Sequence, residues 1–267
     1  MTRDSYHHIA RPPAPGAPLV FAFHGTGGDE HQFTGLVDQI LPGAGRVAPR
    51  GDVSERRAAR FFRRTGEGVY DMEDLARGTE KMAGFVRAHK AAHPDAPVYG
   101  LGYSNGANIL ASVMFDAPDL FDRAALLHPL IPWTPAPPPG LAGKHVLITA
   151  GRHDPICPWP MTEALIGLFE SEGAEVATAI HGGGHEIRQE DLTALAAHLA
   201  GAPVSARRGP AGRPRQATAR AASLRCRAGS EPARPEPRAA LCARRAIGLR
   251  AGPGLHVLAL AGGMKRP

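Results

Sequence analysis

The chain has 267 residues, 43% of them hydrophobic, which is enough for one large domain or two small ones with a sizeable core. Its net charge of +6 is unevenly spread: residues 201–267 carry 14 Lys/Arg against only Glu231 and Glu236, while residues 1–200 are net acidic, so the two regions obey different physics. The three cysteines (Cys157, Cys226, Cys242) form no C-x-x-C pair and are odd in number, which excludes a disulfide framework and favours a reducing, cytoplasmic setting. No stretch reaches the ~18 apolar residues of a membrane span, and the first 18 residues lack a signal-peptide core.

In chain order, residues 1–17 read as an extended, proline-rich lead-in. PLVFAFHG (18–25) is a short apolar run ending in glycine, which predicts a buried strand; HQFTGLVDQIL (31–41) predicts a helix and RVAP (46–49) a short strand. Residues 50–70, rich in Arg and Gly, predict a loop or irregular segment. DMEDLARGTEKMAGFVRAHKAAH (71–93) is the clearest helix: Met72, Leu75, Thr79, Met82 and Val86 step by three and four, Asp71 suits an N-cap, and Pro94 ends the segment. PVYGLG (97–102) predicts a buried strand, NGANILASVMFDA (105–117) a helix with Leu110, Val113 and Met114 on one face, and RAALLH (123–128) and KHVLITAG (144–151) two more strands. Between these, PLIPWTPAPPPG (129–140) has too much proline for regular structure. A helix over 161–173, a strand over 174–181 and a helix over 186–200 close the pattern.

Strand alternates with helix through short connections, which predicts an α/β domain over residues 18–200: a mostly parallel sheet covered on both faces. Residues 201–267 are Arg, Ala, Pro and Gly with little periodicity and predict a disordered basic tail. The tail's charge could make nonspecific, salt-sensitive contact with nucleic acid, but it lacks interleaved aromatics.

The stretch GLGYSNGAN (100–108) sets Ser104 between Gly102 and Gly106, after an apolar strand and before an amphipathic helix. Glycine-rich bends are common turns, yet G-x-S-x-G in this context is the pattern of a nucleophile held on a strained strand-to-helix bend. Small flanking residues relieve clashes there, and the helix starting at Asn105 directs free N–H groups at the space above the serine. The dinucleotide-loop reading fails because Asn105 stands where the third glycine should be.

A serine hydroxyl needs a base, and the base an orienting carboxylate. Asp154, in ITAGRHDPICP, lies just past one strand end, and His185, in HGGGHEI, just past the next. Both therefore fall on the same sheet edge as Ser104, in the chain order serine, acid, histidine. Read blandly, Asp154 is a turn former before proline and His185 a solvated loop residue. His181 and His185 are spaced i, i+4, but the intervening glycines argue against a helical metal site. For the oxyanion, FHGTGGDE (23–30) offers a glycine-rich loop after the first strong strand; the N–H of Thr26 pairs with that of Asn105. Phe62, Leu130 and Trp133 could line an acyl groove, or serve only in core packing. Arg63 and Arg64 could meet an acidic group, or remain solvated.

Taken together, FHGTGGDE, RFFRRTGEGVYDMEDL, GYSNGANI, ITAGRHDPICP and GGGHEI make residues 18–200 resemble an α/β-hydrolase of the phospholipase/carboxylesterase family, near the bacterial carboxylesterases, acyl-protein thioesterases and dienelactone hydrolases. The resemblance implies a serine esterase acting on a small-molecule ester without cofactor or metal, with Ser104 as nucleophile, Asp154 as acid, His185 as base and Thr26 and Asn105 as oxyanion donors. Ser104 stands where dienelactone hydrolases typically carry cysteine, which disfavours that activity. Acyl thioesterase or lysophospholipase activity on the same triad, or a catalytically silent binding protein, are the alternatives.

Overall fold

The computed structural model describes residues 2–202, apart from Glu67, Thr134 and residues 136–139. The basic tail expected over 201–267, with its nucleic-acid contact, lies outside the described residues beyond Ala202.

The elements are β1 (His8–Arg11), β2 (Leu19–Phe23), α1 (Thr34–Ile40), β3 (Gly45–Pro49), β4 (Val53–Glu55), β5 (Ala58–Arg60), β6 (Arg64–Gly66), β7 (Val69–Tyr70), α2 (Met72–Lys90), β8 (Val98–Tyr103), α3 (Asn105–Asp116), a 3-10 turn (Pro118–Leu120), β9 (Arg123–Leu127), β10 (His145–Gly151), α4 (Trp159–Ser171), β11 (Glu175–His181) and α5 (Gln189–Leu199). Seven strands form one sheet in the order β1-β3-β2-β8-β9-β10-β11. All its pairings are parallel except β1 with β3.

Both faces of the sheet are covered, so an inner strand such as β2 is apolar at every position. In β2, Leu19, Phe21 and Phe23 enter the core under α2, α3 and α4, while Val20 and Ala22 enter the core under α1 and α5. β9 repeats the alternation with Ala124 and Leu126 against Ala125 and Leu127. Helix α3, with eleven of its twelve residues buried, lies between the sheet and α2, so even its polar Asn105, Asn108 and Ser112 are enclosed. Asp71 caps α2, accepting from the Asp74 N–H at 3.0 Å. Leu75, Met82 and Val86 are buried as their spacing predicts, whereas Met72, in the first turn, is exposed. No described helix is long and apolar enough to cross a membrane.

Two segments differ from the sequence reading. Part of the lead-in, His8–Arg11, pairs antiparallel with β3, and the His8 ring packs edge-on against Phe85 and His89. The segment expected as irregular between 50 and 70 holds two small antiparallel hairpins, β4-β5 and β6-β7. Strands of two or three residues carry no readable period.

Candidate active site

Four consecutive strands of the sheet end at one edge, and each delivers a polar side chain there: Ser104 after β8, His128 after β9, Asp154 after β10 and His185 after β11. This is the edge where open parallel sheets place their sites.

Ser104 stands alone between β8 and α3 with φ 52° and ψ −117°, a left-handed conformation rare for a residue with a side chain. Its N–H is tied to the Leu127 carbonyl at 2.9 Å. The flanking glycines are required by close approach. A Cβ on Gly102 would sit 2.5 Å from the Gly106 carbonyl oxygen, and one on Gly106 would sit 2.2 Å from that of Phe23. The sharp bend thus holds the Ser104 hydroxyl out over the sheet edge.

His185 Nε2 lies 2.9 Å from Ser104 Oγ, and its Nδ1 lies 2.7 Å from Asp154 Oδ2. The other Asp154 oxygen accepts the N–H groups of Ile156 and Cys157 at 2.8 and 2.9 Å. Burial disfavours the Asp154 anion, but the Cys157 N–H, the His185 ring and the Ile156 N–H outweigh it and hold the carboxyl below its ordinary range. The His185 loop is pinned from beneath, since Tyr103 Oη donates to the His185 carbonyl at 2.8 Å. Burial and the nearby Asp154 push the Tyr103 hydroxyl up to about 12, so it remains a donor.

Opposite the histidine, the loop after β2 spends most of its backbone donors internally. Gly25 N–H reaches the Gln32 side chain, Gly27 N–H the Ala59 carbonyl and Gly28 N–H the Gly25 carbonyl. Among the described residues the N–H of Thr26 has no hydrogen-bond partner. Asn105 is the first residue of α3, whose first N–H groups have no partner in the helix. Its side chain is turned away to accept the Phe61 N–H at 2.8 Å. Arg60 steadies the loop by donating to Thr26 Oγ1 at 2.8 Å.

A cavity of about 290 Å³ opens at Ser104, and Thr26, Asn105 and His185 also line it. Its far wall is a closed set of hydrogen bonds. Asn108 Nδ2 donates to Tyr70 Oη at 2.7 Å, Tyr70 Oη donates to the Leu130 carbonyl at 3.0 Å, and the Leu130 N–H donates to Asn108 Oδ1 at 2.7 Å. Of the three residues expected in an acyl groove, Leu130 lines this cavity. Phe62 is fully buried behind Tyr70, the ring centroids 4.8 Å apart. Trp133 also packs against Tyr70, the ring centroids 5.9 Å apart, and lines a separate groove with Met72 and Leu75. Tyr70, at the end of a hairpin unreadable in the sequence, takes the position expected for those aromatics. Arg64 also lines the cavity, paired with Glu55 at 3.0 Å, whereas Arg63 is exposed and pairs with Asp71.

The residue the sequence reading passed over is His128. It is completely buried, adopts φ 50°, and its Nδ1 lies 3.2 Å from Asp154 Oδ2. Its sequence signal was its place: the first position past β9, matching the positions of the other three past their strands.

The chain is 37% identical over 175 residues to a Bacillus subtilis protein named "Putative hydrolase MhqD", a match spanning 65% of this chain and 88% of that protein. Among solved structures it is similar to an Agrobacterium tumefaciens protein of unknown function, at 53% identity and TM-score 0.73, covering 76% of this chain and all of that one. It is also similar to a Bacillus cereus carboxylesterase, at 32% identity and TM-score 0.70, covering 73% of this chain and 94% of that one. No protein-family model matches the chain. With a doubly covered parallel sheet, a G-x-S-x-G bend at its edge and a relative of this closeness over nearly its full length, the chain belongs to the phospholipase/carboxylesterase family of α/β-hydrolases.

Proposed function

We propose that the chain is a serine esterase that hydrolyses small carboxylic esters through an acyl-enzyme. The observation that carries this reading is the continuous hydrogen-bonded line from Ser104 Oγ through His185 to Asp154, with steps of 2.9 and 2.7 Å. His185 Nε2 accepts the Ser104 proton as Oγ attacks the ester carbonyl. The carbonyl oxygen becomes an oxyanion and is received by the N–H groups of Thr26 and Asn105, with the positive end of α3 behind them. Asp154 holds the imidazole in the right tautomer and offsets the imidazolium that forms. His185 then passes its proton to the departing alkoxide. A water molecule, deprotonated by the same imidazole, attacks the acyl carbonyl and frees the acid and Ser104.

The cavity volume supports a small acyl group, because about 300 Å³ is the lower end of what a drug-sized ligand needs. An acyl thioester would use the same machinery, and a panel of short esters, long esters and thioesters ranks these substrates. The test of the mechanism is labelling with a fluorophosphonate: wild type is tagged and Ser104→Ala is not. Equal labelling of both removes the assignment.

A further inference from the structure

His128 has no part in the steps above, yet it touches the same oxygen of Asp154 that His185 uses. Its Nε2 lies 3.5 Å from Oδ2 of Asp191, the third residue of α5. All three side chains are completely buried. A carboxylate only accepts hydrogen bonds, so an imidazole set between two carboxylates satisfies both when each ring nitrogen carries a hydrogen. Such a ring is a cation, and it offsets two anions that would otherwise be buried side by side. Asp191 has further support, since its Oδ2 accepts the Arg188 N–H at 2.8 Å at the start of α5. The left-handed backbone of His128 is held by its N–H on the Thr149 carbonyl at 3.0 Å, while its own carbonyl accepts from Cys157 Sγ at 3.3 Å.

Resting on the triad reading above, we propose that His128 is a positioning residue for Asp154: a buried imidazolium clamped between Asp154 and Asp191 that fixes the acid and tempers its negative charge toward His185.

The cluster of His128, His181 and Asp191 also has the composition of a metal site. Its tautomers oppose that use. His181 Nδ1 accepts the Gly183 N–H at 3.0 Å, so the hydrogen sits on Nε2, which lies 3.2 Å from Asp191 Oδ2 but makes no hydrogen bond to it. A protonated nitrogen cannot ligate a metal.

The groups facing His128 are Asp154 from the loop after β10, Asp191 from α5, His181 at the end of β11, His185 after it, and Tyr103 from β8. Cys157 touches its carbonyl; burial and Asp154 push that thiol up, so it stays neutral. A cation at 128, its ring centroid 5.4 Å from that of His185, works against protonation of the base. His128→Gln keeps a donor for Asp154 and removes the charge. The expected result is a roughly tenfold or greater fall in kcat with KM unchanged. The acid-side midpoint of the kcat/KM profile also moves up. Nitrogen-15 NMR of the histidine-labelled wild type tests the charge without any variant: both ring nitrogens of His128 should carry hydrogen at neutral pH. A single protonated nitrogen overturns the proposal, as does a folded His128→Gln enzyme with wild-type kcat and pH profile. Should the variant not fold, the NMR result decides. Fluorophosphonate labelling that survives Ser104→Ala would instead remove the underlying triad reading.

Discussion

Asp154→Asn is the sharpest probe of the proposed chemistry, because the structure dictates which way the new amide must face. Oδ1 of Asp154 accepts two backbone N–H groups, from Ile156 and Cys157, at 2.8 and 2.9 Å. The amide oxygen of asparagine has to take that place; turning the NH2 there would leave two buried donors opposed, at roughly 1–3 kcal/mol each. The NH2 therefore occupies the position of Oδ2, 2.7 Å from His185 Nδ1. A donor there forces Nδ1 to accept and moves the imidazole hydrogen to Nε2, where it points at Ser104 and cannot take the proton. The fold keeps both backbone bonds, but the NH2 also meets His128 Nδ1, 3.2 Å from Oδ2, so the variant is expected to fold with a lowered melting temperature. Inverting the tautomer in this way costs on the order of 10⁴ in kcat, which is about 5.4 kcal/mol at 1.36 kcal/mol per tenfold. The assay is pH-stat hydrolysis of an unactivated short-chain ester, with the melting temperature as the control for folding. A well-folded Asp154→Asn enzyme within tenfold of wild type would refute the role given to this carboxylate.

Gly106→Ala places a methyl group 2.2 and 2.5 Å from two backbone oxygens that cannot swing away, so urea titration should show a loss of about 3 kcal/mol or more. Phe62→Ala should cost roughly 3–5 kcal/mol as a core truncation, while Trp133→Ala should alter KM for an acetate ester less than Leu130→Ala does, since only Leu130 lines the cavity. Buried Glu30 is opposed by desolvation, but its hydrogen bonds from Arg50 at 2.5 and 2.8 Å bring its carboxyl down to about 2. A depressed carboxyl stabilises the fold above its unfolded pKa of about 4.3 and loses that contribution as pH falls through the folded value. Glu30→Gln should therefore lose about 2 kcal/mol at pH 7, discounted for the half-exposed Arg50, and the gap from wild type should close between pH 4.5 and 2.

What was legible in the sequence was whatever local backbone geometry dictates. The serine bend needs two glycines within two residues of Ser104, and their would-be clashes with Gly106 and Phe23 show why no other residues fit. Asp154 and His185 were readable because each sits a few positions past a strong apolar strand, and parallel strands share one outgoing edge. The cavity wall was not readable. Tyr70, rather than Phe62 or Trp133, faces the site because a two-residue strand in a short hairpin turns it there, and nothing in a run that short encodes a face. His128 escaped notice for another reason: its partners lie 26 and 63 residues away, and the order of serine, acid and histidine has no place for a second imidazole. Yet the rule that brought Ser104, Asp154 and His185 to one sheet edge applies to it without change. β9 runs between β8 and β10 in the sheet, so a polar residue just past its end must arrive beside the groups delivered by its neighbours. Buried there between two carboxylates, with its backbone held in a left-handed conformation, an imidazole is too demanding a choice to serve as filler.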